Sequence, residues 1–120
     1  MNSLEYWQWL NQFITLLEDQ AEKIKQSPDP RTLAQMRIAE HTLNFEIDQF
    51  MHFIDTHEKM PVSVFLNEQN IGSDAWNEIK QRRDSLAGKL SEMIGSNPEF
   101  TEQYQYLCEA IIAVTSLLLS

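Results

Sequence analysis

The stretch from Leu33 to Glu58, LAQMRIAEHTLNFEIDQFMHFIDTHE, decides how the rest of the chain is read. At helical periodicity Met36, Ala39, Leu43, Ile47, Phe50 and Ile54 share one face, which is a core stripe. The roughly opposite face carries Ile38, His41, Phe45, Asp48, His52 and Asp55 at alternating steps of three and four, with Phe53 on the flank between the stripes. A solvated face rarely holds both an isoleucine and a phenylalanine. Either a second layer of the same chain covers this stripe, for which the Trp-rich start of the chain is a candidate, or it is a contact surface for a partner or a second copy.

On the N-terminal side, Trp7, Leu10, Ile14, Leu17, Ala21 and Ile24 form a seam over 3–25, with Ser3 as the expected N-cap. Trp9, Phe13 and Leu16 widen the apolar arc, so this helix is expected to touch two neighbours, or one neighbour and a partner. Asp29-Pro30 reads as N-cap and first helical residue of a second helix over 30–59, which Pro61 stops. The segment 60–72 alternates Val62, Val64 and Leu66 and is expected to be an ordered loop pinned by Val64, Phe65 and Ile71. Ser73 is expected to cap a third helix, 73–95, with Trp76, Ile79, Leu86, Leu90 and Met93 or Ile94 inside and Gly95 at its end. A fourth, 98–119, carries Phe100, Tyr104, Leu107, Ile111, Val114 and Leu118 and ends in AIIAVTSLLL. Being apolar almost all round, its last turns are expected to be buried, or to lie in a dimer interface. The spacings thus predict an all-α fold: a four-helix bundle with one long ordered loop, in a single domain of 120 residues.

Eighteen acids against nine bases leave a formal charge of −9. Nucleic acid and anionic membrane surfaces are therefore not expected as partners, because both demand clustered Lys and Arg. The acid is concentrated: no Lys or Arg lies between Ile38 and Glu58 or beyond Lys89. A surface polarised this way attracts a basic protein and speeds encounter with it. Cys108 is the single cysteine, so neither an internal disulfide nor a thiolate metal cluster is available. The start MNSLEYW has no basic-then-apolar pattern and no apolar run is long enough to span a bilayer, so the chain is expected to be cytoplasmic.

Known chemistries find little to stand on. Asp48 and His52, four apart, can reach one ion, yet no Glu-x-x-His motif is present and the stripe points away from the core. His41-Thr42-Leu43 resembles the His-x-Leu centre of histidine phosphotransfer domains, which are acidic four-helix bundles; the resemblance implies phosphoryl transfer through His41. That family continues with Lys and Gly, where this chain has Asn44 and Phe45, so the phosphate-holding cation is missing and the imidazole is crowded. No nucleophile stands beside a base and no Gly-rich loop is present. No catalytic, cofactor-binding or metal-binding residue is therefore assigned, and the chain is not expected to be an enzyme. The expected role is a small acidic protein-binding module, comparable to bacterial immunity proteins, antitoxins and other inhibitors that mask a basic surface of a partner such as a nuclease toxin. Ile38, His41, Phe45, Asp48, His52, Asp55 and Glu58 form the expected contact surface of a monomer or homodimer. The alternative is a secretion chaperone or adaptor that holds an amphipathic segment between the first and last helices.

Overall fold

The structure is a computed structural model that describes residues 1–119. The Asn2 side chain, rather than Ser3, accepts the Glu5 backbone N–H at 2.9 Å, so Asn2 caps α1 (Ser3–Ile24). Ser3 is buried and its hydroxyl donates to Glu58 Oε1 at 2.6 Å, tying the start of α1 to the end of the next helix. α2 (Pro30–His57) begins as its residues dictate: Asp29 Oδ2 accepts from the backbone N–H and the hydroxyl of Thr32, both at 3.0 Å. It ends where Lys59 turns into the left-handed region at φ 57°, with the Glu58 and Lys59 amides both donating to the Ile54 carbonyl.

A side chain at such a φ costs roughly 1 kcal/mol relative to glycine. Lys59→Gly is accordingly expected to stabilise the fold by about 0.5–1 kcal/mol, seen as a higher urea midpoint at unchanged slope. A lower midpoint would mean that the lysine side chain contributes more than its backbone strain costs.

The segment 60–72 is ordered as expected but is not loop throughout. Val62–Glu68 is a short helix, α3, with Pro61 at its N-cap. Its buried residues are Val62, Phe65 and Leu66, whereas Val64 and Ile71, two of the expected pins, are exposed. Asn70 and Gly72 both take positive φ, and at 109° Gly72 sits where side-chain residues rarely go. α4 (Ala75–Gly95) follows, preceded by Asp74 rather than capped by Ser73, and α5 (Phe100–Leu119) closes the described chain.

The core lies among α1, α2 and α4, and α3 packs against α4 and α2. The seam predicted on α1 is buried from Trp7 to Ala21, meeting Leu43, Ile47, Phe50 and Ile54 of α2 and Ile79, Leu86, Leu90 and Met93 of α4. Phe50 is fully enclosed, its ring near those of Tyr6, Trp7 and Trp76 with centroids 5.2, 5.6 and 5.8 Å away. Arg82 of α4 forks onto α1: Nε donates to Glu18 Oε2 at 3.1 Å, and Nη2 donates to Glu18 Oε1 and to the Thr15 hydroxyl.

α5 departs from expectation. It lies against α2, with Phe100, Gln103, Tyr104, Leu107 and Cys108 half-buried, and no residue of the helix is fully buried. Every residue from Glu109 to Leu119 is exposed. The run AIIAVTSLLL, expected to be enclosed in the bundle, stands in solvent instead, because α1, α2 and α4 already close the core without it.

Candidate functional site

The outer face of α2 is the surface singled out by its second stripe, and α5 divides it in two. Toward the start of α2, Ile38, His41, Thr42 and Phe45 face Tyr104, Cys108, Ile111 and Ile112 of α5 across a groove of about 440 Å³. Ile38 is half-buried beneath this wall, whereas Phe45 keeps 59 % of its surface exposed. Beyond the groove Asp48, His52 and Asp55 stand exposed. α5 thus covers one end of the stripe, and Tyr6 of the Trp-rich helix α1 borders it further along, at His52.

Glu58, the last of the expected contact residues, is half-buried and accepts the Ser3 hydroxyl, which ties the end of α2 to the start of α1. His52 lines a shallower hollow of about 260 Å³ with Tyr6, Gln49, Phe53, Thr56 and His57. In this hollow His57 stacks on Phe53 with centroids 4.0 Å apart, and the Tyr6 hydroxyl donates to Glu46 Oε2 at 2.6 Å. Burial, with the Glu46 carboxylate as acceptor, pushes the Tyr6 phenol well above its ordinary pKa, so it remains a donor. In the groove, burial and the neighbouring Cys108 raise the Tyr104 phenol as well.

One residue that the sequence reading passed over matters here. Glu40 is buried, only 4 % exposed, at the edge of the groove. Its Oε1 accepts the Asn44 side-chain amide at 3.0 Å, while Oε2 lies 3.7 Å from Arg37 Nη1 and 3.6 Å from His41 Nδ1 without a hydrogen bond. The His41 imidazole thus lies beside a carboxylate, where a phosphorylated imidazole needs a cation. Glu40 sits on the flank of the core stripe next to Arg37, and a charged pair three apart on a helix ordinarily signals only a solvated surface. Asp48 and His52 gain no further ligand: among the described residues no three His, Cys, Asp or Glu side chains come together as a metal-binding group.

The arrangement offers an apolar groove, an exposed aromatic ring at its mouth and, beyond it, the exposed carboxylates of Asp48 and Asp55. In comparisons with known proteins, no family model, no curated protein and no solved structure matches this chain.

Proposed function

We propose that the protein is a small acidic binding module that covers a basic surface on a partner protein, as an immunity-type or antitoxin-like inhibitor of a nuclease toxin does. The observation that carries this reading is Phe45, more than half exposed on a helix face whose neighbours Asp48 and Asp55 are exposed acids. An exposed ring gains most when a partner desolvates it, and carboxylates beside it select a partner bearing Lys or Arg. Lys and Arg are the groups a nuclease presents to its substrate, so docking here would occlude the substrate surface without any chemistry by the inhibitor. The encounter belongs in the cytoplasm, where a toxin of this kind would act.

The test is a pull-down from the source cells at low salt, with a separate high-salt elution, followed by titration of the recovered partner. Phe45→Ala with Asp48→Ala is expected to weaken binding about 100-fold or more, with unchanged helical circular dichroism because both side chains are exposed. Affinity of the unaltered protein is expected to fall as salt rises. A partner bound equally well by the double variant would overturn the assignment of this face.

The groove itself favours a second reading, in which an amphipathic helix of the partner is sequestered. Its walls come from α2 and the last helix, α5, with α2 in the place expected for α1. In that case Ile112→Ser alone abolishes binding, and the complex survives high salt.

A further inference from the structure

We infer that α5 is a displaceable strap: it leaves α2 and unwinds as a unit while α1 to α4 stay folded, and its departure uncovers Ile38 and removes one wall of the groove beside Phe45. The observation that carries this is how little of its surface α5 commits to the fold. The five residues it turns inward, Phe100, Gln103, Tyr104, Leu107 and Cys108, are each only half-buried, and Glu109 to Leu119 are exposed throughout. Ile112 and Leu118 keep 65 % and 81 % of their surface in water while the helix is docked. Little apolar burial is therefore given up when the helix leaves.

The rest of the chain keeps its centre. Leu43, Ile47, Phe50 and Ile54 of α2 meet Leu10 and Ile14 of α1 and Leu86 and Leu90 of α4, all enclosed. Polar contacts tie these three helices crosswise: Ser3 to Glu58, Tyr6 to Glu46, Arg82 to Glu18 and Arg37 to Ser91. On α5, by contrast, the hydrogen bonds from Gln105 to Glu109 and from Thr115 to the Ile111 carbonyl stay within the helix. A hinge is also in place. Between α4 and α5 the Asn97 side-chain amide donates to the Pro28 carbonyl at 3.2 Å, which pins the joint to the α1–α2 connection, and Pro98 interrupts the helical run there. Once off α2, a helix of 20 residues is marginal in water, so α5 unwinds and its amides open to exchange. The opening belongs to this chain alone and needs no partner, so it stands apart from the proposed function.

Native-state hydrogen exchange on the full chain tests it. The amides of Tyr104 to Cys108 are expected to exchange about 100-fold faster than those of Leu43 to Ile54. Tyr104→Ala with Leu107→Ala, which trims side chains half-buried in the docked helix, is expected to speed exchange on α5 a further tenfold or so and to leave Leu43 to Ile54 unchanged. Alanine favours helix, so that gain can come only from lost docking and not from fraying. Inner α5 amides that exchange no faster than those of α2 would sink the strap, because α5 would then open only with the whole fold. A variant that speeds both helices equally would sink it too.

Discussion

Replacing Phe50 with alanine is expected to cost about 4 kcal/mol of folding free energy, the largest effect of any single truncation proposed for this chain. The ring is fully buried and lies where α1, α2 and α4 meet, against Tyr6, Trp7 and Trp76. Two costs combine: the transfer of the lost ring and the cavity left among rigid aromatic neighbours that collapse poorly. Against a typical total of about 5–15 kcal/mol, such a loss brings a small domain near its threshold and lowers the melting temperature by roughly 15 °C. Urea unfolding followed at 222 nm reads it directly. Phe50→Leu, which keeps most of the volume, is expected to lose about 1 kcal/mol. If the alanine variant lost less than that, the aromatic cluster would not be the centre of the core.

Arg37→Ala is expected to cost about 3 kcal/mol, far more than a half-exposed arginine normally contributes. The reason is Glu40. Its carboxylate is buried, receives one hydrogen bond from Asn44, and owes the rest of its compensation to Arg37 and to His41 at its edge. Arg37 is itself held from α4, where Nη2 donates to the Ser91 hydroxyl at 3.3 Å. Without the guanidinium the carboxylate is left desolvated beside an exposed imidazole. Adding Glu40→Leu to Arg37→Ala is expected to restore most of the loss, because replacing a buried pair by apolar contact is far cheaper than orphaning one member. A single-variant loss below about 0.5 kcal/mol would show that water reaches the carboxylate after all.

Glu40 and Arg82 illustrate what one-dimensional reading cannot reach. Arg82 sits beside Arg83 and Asp84, a pattern that reads as a solvated helix surface, and Arg83 does pair with Asp84. The fork onto Glu18 spans 64 positions of sequence and exists only because α1 and α4 lie side by side. The short helix α3 was hidden for another reason. Its alternating valines suggest extension, and seven residues are too few for propensity to decide. Val62, Phe65 and Leu66 are buried at helical spacing because α2 and α4 offer an apolar surface beneath them.

The candidate site was half legible. The stripe holding Ile38, His41, Phe45, Asp48, His52 and Asp55 is plain in the spacing, and its residues lie on one side of α2. That α5 would wall one end of it into a groove was not visible, since Tyr104, Cys108 and Ile111 reveal a stripe but not the surface it meets.

By itself the sequence determined the all-helical class, the seam of α1, the core face of α2 and the Asp29-Pro30 boundary. Each follows from periodicity or capping chemistry that acts within a few residues. Tertiary structure alone decided which apolar surface is covered. A run such as AIIAVTSLLL is apolar on nearly every side, so its pattern names no preferred neighbour, and burial depends on whether the rest of the chain still has a face to give. Here α1, α2 and α4 satisfy one another first, and the outer half of α5 remains exposed.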